Sequence, residues 1–307
     1  MANRWIIFFT AACAVFVQHP AMADSSRGGA FSAPGYGARA WGMAGAAIAS
    51  MDDESAVYWN PAMLGVITRE VAGASYVNLV SGATARKSQL AWVLPVSLNS
   101  RGGGSTSRHA IGALYTNVHL GVAGNVPYNE NMLRLAWAFT PDPFVSIGVA
   151  LEGLHSTSGL DAFGAHGSRV DAGIRVQLTD HSTAAVVVRN LVSRYSFHDG
   201  LDVQIRRAVD MGIAWAYPRF GRLEVDLRAQ TGDVARFAAG VATPWVLGRL
   251  TLRGGYAVVR EGESRGIPYF GLGVRAAGSR VRIHYNASFD SAEALGDTHR
   301  FSLSVTL

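Results

Sequence analysis

The chain has 307 residues, a formal net charge of +5, 49% hydrophobic and 16% charged residues, 35 glycines and one cysteine. A charge this small and dispersed excludes a nucleic-acid binder built on a basic face, and one cysteine excludes a disulfide framework or a thiolate metal site. After residue 23 no stretch is long and apolar enough to cross a membrane as a helix, which takes about 20 residues, so any crossing must be made by strands.

Residues 1–23 read as a secretory signal. Arg4 supplies a positive start, Trp5 to Val17 is an apolar run of about 13 residues, and Ala21-Met22-Ala23 fits a cleavage site. Cys13 lies inside that run, so the processed chain is expected to have no cysteine.

Residues 24–69 read as an N-terminal plug (hatch) centred on Gly37–Gly65. Ala38 to Ser50 is rich in small residues and predicts a short helix, with Gly42 and Gly45 allowing close packing. Asp52, Asp53 and Glu54 then break the apolar run. Tyr58, Trp59, Asn60, Pro61 and Ala62 follow, and a residue before proline is pushed out of the α region, so Asn60 is expected to be extended or in a turn. The candidate plug anchors are Asp52, Asp53, Tyr58, Trp59, Asn60, Pro61 and Ala62.

Residues 70–307 change to a period of two. Leu223, Val225, Leu227 and Ala229 alternate with Arg222, Glu224, Asp226, Arg228 and Gln230. Val170, Ala172, Ile174 and Val176 alternate with Arg169, Asp171, Arg175 and Gln177, and Val281, Ile283 and Tyr285 alternate with Arg282, His284 and Asn286. A strand with charge on one face and only apolar side chains on the other must turn the charged face to water or to charged neighbours. In a membrane barrel these become lumen-facing and lipid-facing rows.

Strand starts are expected near Glu70, Arg86, Arg108, Glu130, Phe144, Ser168, Ser182, Arg206, Phe220, Val234, Gly248, Ile267, Arg280 and Thr298. With the plug on the periplasmic side, connections after even strands should be the short ones. Those at Thr140–Pro143, Thr179–His181, Pro218–Arg219, Val246–Leu247 and Gly278–Ser279 comply. Leu120–Asn129, His155–Gly167, Val192–Ile205, Arg260–Gly266 and Asp290–Asp297 are expected as the longer connections of the outer face; 99–107 is too long and 231–233 too short for the rule. Trp137, Phe139, Phe144, Trp215, Tyr217, Phe220 and Trp245 cluster at the short turns, as an interfacial aromatic girdle would.

The order of small-residue helix, acidic pair, aromatic pair, Asn60-Pro61-Ala62 and Leu64-Gly65 resembles the N-terminal plug of FadL-type outer-membrane transporters, and resembles PorV/PorQ-type outer-membrane proteins more closely. The end from Tyr285 to Leu307, with Leu295-Gly296 and Thr298–Leu303, resembles the closing hairpin of the second group, although the last residue is Leu rather than the usual Phe. The resemblance implies an all-β fold: a transmembrane antiparallel β-barrel of about 14 strands, with an N-terminal plug containing a short helix. It implies residence in the cell outer membrane after export, with outer-membrane lipid and the barrel-assembly machinery as partners. The activity it implies is non-enzymatic transport of a hydrophobic or amphipathic small-molecule ligand. The alternative is a PorV-like adaptor of a secretion system that binds secreted proteins.

The candidate lumen charges are Arg175, Asp210, Arg222, Glu224, Asp226, Arg228, Arg253 and Arg282. Nearly balanced charges facing one another are lower in energy paired, so most are expected to pair across neighbouring strands, and a polar permeation path is the alternative. Histidines show no metal spacing, no Ser, His and acid set stands out, and 101–105 lacks the ending of a phosphate-binding loop. No catalytic residue, metal or cofactor is expected.

Overall fold

The computed structural model describes residues 35–78, 85–97, 108–122, 126–159, 164–200, 202–230, 235–261, 263–276, 280–289 and 297–307. The expected signal at 1–23, the first part of the expected plug and the Gly-rich stretch at 101–105 lie outside the described residues.

The strands are β1 (Val71–Asn78), β2 (Ala85–Ser97), β3 (Arg108–Val122), β4 (Val126–Asp142), β5 (Val145–Ser158), β6 (Ala165–Thr179) and β7 (Ser182–Phe197). They continue as β8 (Asp202–Val203), β9 (Ala208–Tyr217), β10 (Gly221–Gln230), β11 (Ala235–Ala242), β12 (Leu250–Glu261), β13 (Glu263–Arg275), β14 (Val281–Phe289) and β15 (Asp297–Thr306). Each pairs antiparallel with its sequence neighbour, except that β7 passes the two-residue β8 to pair with β9. Pairing of β1 with β15, from Val71 opposite Thr306 to Asn78 opposite His299, closes the sheet. The result is a 14-strand barrel with β8 laid on the far end of β7. Closure joins the first and last strands and so removes the open sheet edges, a condition for an antiparallel sheet in lipid, with one local interruption past Arg189 of β7.

The rows divide by face. On β5, Ile147, Val149 and Leu151 are exposed, while Ser146, Ala150, Glu152, Leu154 and Ser156 are buried. On β10, Leu223 and Leu227 point out and Glu224 and Asp226 point in. An outer surface of Leu, Ile, Val and Phe around a buried charged interior is unfavourable in water and favourable in hydrocarbon. Trp137, Phe144, Tyr217 and Phe220 stand outside near the short turns.

The expected strand starts lie within a few residues of the observed ones, but the expected long connections do not all exist. β3 runs to Val122 and β4 starts at Val126, where a connection from Leu120 to Asn129 was expected; β12 and β13 are separated by one residue. Here the strands continue past the bilayer: β4 has 17 residues and β7 has 16, against about 9–11 for a tilted crossing. The opposite departure occurs between β11 and β12, where seven residues, 243–249, replace a tight turn at Val246.

Inside lies the plug: helix α1 (Ala38–Trp41), helix α2 (Ala56–Trp59) and a 3-10 segment Pro61–Val66. The helix expected over Ala38–Ser50 is only one turn long. Ala44 (φ 57°) and Gly45 (φ 69°) are left-handed, and the Gly45 N–H reaches back to the Ala40 carbonyl at 2.9 Å, which ends the helix. The reason is tertiary: Met43 and Ala44 lie with their backbone against Gly240 and Gly255 of the wall. Trp41, Trp59, Ile48, Met51, Met63 and Leu64 join wall residues Val93, Leu114 and Tyr269 in one apolar core.

Candidate functional site

The plug is irregular, so many of its backbone groups have no partner within it and must find one on the wall. Asn60 is fully buried and serves two of them. Its Nδ2 donates to the Ile48 carbonyl at 2.9 Å, and its Oδ1 accepts from Ala62 N–H at 2.9 Å as the cap of the 3-10 segment. Pro61 demands an extended residue before it, and Asn60 complies at φ −156°, ψ 111°. Pro61 and Ala62 lie against Gly148, where any Cβ would strike their backbone; Asn60 occupies the corresponding space over Gly173. Trp59 Nε1 donates to the Tyr36 carbonyl at 2.9 Å, and Trp41 stacks on Tyr269 beneath the guanidiniums of Arg236 and Arg300.

The lumen charges divide into two uses. Glu224 and Asp226, expected to pair with strand neighbours, instead accept from plug backbone. Glu224 takes Ala49 N–H at 2.6 Å, and one Asp226 oxygen takes Ala47 and Ile48 N–H at 2.7 and 3.1 Å. Arg222 donates to the Ser50 carbonyl at 2.6 Å and pairs with Asp52 at 3.4 Å. Asp52 also pairs with Arg39 at 2.6 Å, and Arg39 bridges on to Asp53, which accepts from Ser55 N–H at 3.1 Å.

The second use is a chain of alternating charge across β4 to β10. Arg169 meets Glu152 at 2.6 Å, Glu152 meets Arg134 at 3.3 Å, and Arg134 meets Asp171 at 2.7 Å. Asp171 meets Arg189 at 3.6 Å, and Arg189 and Arg228 both meet Asp210 at 2.5 Å. Arg134 also donates to the Val57 carbonyl at 2.8 Å, and Arg189 donates to those of Tyr58 and Trp59 at 3.1 and 2.8 Å, with its Cζ 5.3 Å from the Tyr58 ring. Sequence reasoning passed over Arg39, Arg134, Glu152 and Arg189. Arg134 shares an inward row with Met132 and Ala136, alternating with the outward Leu133 and Leu135, which was the available signal.

The remaining candidates stand apart. Arg175 donates to the Pro143 carbonyl at 3.1 Å, Arg253 lies 3.3 Å from His284 Nδ1, and Arg282 reaches the hydroxyls of Ser304 and Thr306 at 3.4 Å. Among the described residues no group of His, Cys, Asp and Glu could hold a metal ion. In the plug, Glu54 is buried and accepts from the Ser304 hydroxyl at 2.7 Å. Burial, and then the charge of Asp53, push its carboxyl up to about 8.

Away from the plug, toward the far ends of the long strands, apolar side chains share the lumen with the buried Glu130 and Ser156. Val118, Met132, Leu154, Ala165 and Tyr195 form a second buried cluster, flanked by Leu120, Phe197, Val203 and Ile205. Between this cluster and the plug, among the described residues, lies a polar cavity of about 10 Å³ bordered by Tyr58, Lys87, Arg134 and Glu152. That is room for about one water.

The wall beside this cluster is interrupted. β6 and β7 lose register between Val170 opposite Val192 and Ala172 opposite Val188, with Asn190 left-handed at φ 55°. Past Arg189 opposite Ala208, β7 no longer pairs with β9, and backbone pairing resumes only with β8, at Tyr195 opposite Val203. Two side-chain bonds cross the gap: Asn190 Nδ2 to the Arg206 carbonyl at 2.7 Å and Ser193 Oγ to the Ile205 carbonyl at 3.1 Å. Eight paired residues at a tilt near 45° put the interruption about 20 Å above the short turns, inside an apolar band about 25 Å tall. Val192, 65% exposed, stands beside it.

No protein-family model matches the sequence, and no curated protein matches it either. Solved structures do. The P. putida toluene transporter TodX is 14% identical, covers 89% of this chain and 99% of its own, and has a TM-score of 0.61. The Ralstonia pickettii toluene transporter TbuX is 12% identical, covers 90% and 100%, and has a TM-score of 0.63. A Pseudomonas aeruginosa FadL homologue is 13% identical, covers 89% and 98%, and also has a TM-score of 0.63. At these identities the likeness establishes the fold alone: the chain shares the barrel architecture of these transporters and of the FadL homologue.

Proposed function

We propose that this FadL-like plugged barrel is a non-enzymatic outer-membrane channel that passes hydrophobic or amphipathic small molecules. The observation that carries the reading is the apolar cluster around Met132, Leu154 and Tyr195, placed beside a wall section whose strands are joined by side chains rather than by a backbone ladder. The apolar side chains of this cluster favour an apolar occupant or the apolar part of an amphipathic one. Straight passage down the lumen meets the charged chain at Arg134, Asp171 and Asp210 and then the plug, so the lower-cost route for an apolar molecule is sideways into the bilayer.

The packed cluster, with a polar cavity of about 10 Å³ between it and the plug, reads in this proposal as a closed state. Loading requires the cluster to separate, and the plug bonds of Arg134 and Arg189 to Val57, Tyr58 and Trp59 would carry that displacement to Asn60. In this role Asp52, Asp53, Tyr58, Trp59, Asn60, Pro61 and Ala62 anchor the plug, and Asp210 and Arg228 belong to the polar floor. The fold neighbours named for toluene transport and FadL support the reading by likeness of architecture. The secretion-adaptor alternative relies on outer connections, several of which lie outside the described residues.

Mass spectrometry of apolar extracts from protein purified in mild detergent tests the proposal. A stoichiometric hydrophobic ligand, lost in a Met132→Asp/Leu154→Asp variant that still folds, supports it. A ligand-free protein that also takes up no added hydrocarbon overturns it.

A further inference from the structure

At the short-turn mouth, between the tail of the plug and the wall, lies a cavity of about 460 Å³ bordered by Arg69, Arg275, Arg280, Arg282, Asp52 and Thr306. Its border is predominantly positive, with four arginines against Asp52. Asp52 is already engaged by Arg39 and Arg222. Among the described residues no carboxylate forms an ion pair with any of the four bordering arginines. Arg282 reaches the hydroxyls of Ser304 and Thr306 and acts through space on Asp52, Asp53 and Glu54 of the plug without forming an ion pair with them, and Arg275 lies over the Trp245 ring at 4.5 Å. Arg69 and Arg280 are exposed at the rim.

Four guanidiniums around one cavity repel one another unless an anion enters, and a site with low-dielectric walls strengthens both the repulsion and its relief. The elements impose the arrangement: Arg275 and Arg282 face each other in the β13–β14 ladder, Arg280 lies in the turn between those strands, and Arg69 precedes β1. We propose that this cavity is a phosphate-binding site. The planar fork of arginine matches tetrahedral oxyanions bidentately, Thr306 adds a hydroxyl donor, and a dianion balances more of the excess charge than a carboxylate would. Short turns of outer-membrane barrels lie at the periplasmic interface, where phosphate is present both as a free anion and as a phospholipid headgroup. The proposal rests on this cavity alone and is independent of the transport reading.

The test is calorimetric titration of the full chain in non-ionic detergent at low salt with inorganic phosphate, and in parallel lipid capture from nanodiscs of phosphatidylglycerol or phosphatidylcholine. The variant Arg69→Gln/Arg280→Gln removes two exposed guanidiniums that hold no part of the plug, and Arg194→Gln at the opposite mouth is the control. Each lost guanidinium contact should weaken binding by about tenfold, while Arg69→Lys/Arg280→Lys retains part of it. Phosphate binding lost in the Gln variant assigns the site to the free anion. Selective phosphatidylglycerol capture lost in the same variant, without phosphate binding, assigns it to the headgroup. Binding of neither, or binding equal in the Gln variant and Arg194→Gln, overturns the proposal.

Discussion

Replacing Asn60 by Ala should release the plug without unfolding the barrel. The side chain is fully buried, and its amide satisfies one carbonyl and one N–H of plug backbone, both at 2.9 Å. Ala removes both partners, and the apolar surroundings of Trp59 and Met63 supply no replacement. An unsatisfied buried polar group costs about 1–3 kcal/mol, so the two together cost roughly 2–6 kcal/mol. Local opening of residues 37–66 should therefore become at least about thirtyfold more frequent. Hydrogen exchange read by mass spectrometry on plug peptides measures this, with strand peptides from β12 and β13 as the internal reference. Leakage of a large antibiotic through cells carrying the Ala variant should rise with the exchange rate. Wild-type exchange in the plug of Asn60→Ala would refute the anchoring role.

Two further outcomes follow from the same seal. Gly148→Ala places a methyl group against the backbone of Pro61 and Ala62, an overpacking of about 1–3 kcal/mol; the plug peptides should exchange faster, whereas Gly153→Ala, with open space around it, should leave them unchanged. Glu54 is neutral in the folded plug up to about pH 8, above its ordinary value of 4.5, so its contribution is complete at low pH and is lost as pH rises from about 5 through 8. Plug protection in the wild type should fall over that window, and Glu54→Gln should flatten the dependence; an unchanged slope in Glu54→Gln would assign it to another group.

The barrel was legible because its strands obey one rule that single residues enforce. Leu223, Val225 and Leu227 cannot share a face with Glu224 and Asp226, so alternation gave the strand and its orientation together. Where the strands end was harder to read, because β3 and β4 continue beyond the bilayer through residues that alternate less sharply, such as Gly121 and Pro127. The plug was legible as a block but not in detail. Ala38–Ser50 has helical composition, yet it turns at Ala44 because the wall glycines Gly240 and Gly255 receive its backbone there, a contact some 200 residues away in sequence. For the same reason pairwise charge balance missed Glu224 and Asp226: their partners are N–H groups of Ala47–Ala49, and backbone donors leave no mark in a charge pattern. Wall glycines such as Gly148, Gly173 and Gly255 read as barrel composition until the plug is seen against them.

The most direct measurement of the transport reading closes the wall where its ladder stops. Ser193→Cys with Ile205→Cys puts two thiols across the interruption, where Ser193 Oγ already touches the Ile205 carbonyl at 3.1 Å. Uptake of a radiolabelled apolar hydrocarbon by Gram-negative cells carrying this variant is followed before and after oxidation. Uptake that stops on oxidation and returns on reduction is the predicted result. Equal uptake by the cross-linked and reduced forms, with the cross-link verified, would contradict passage through the wall beside β7 and β9.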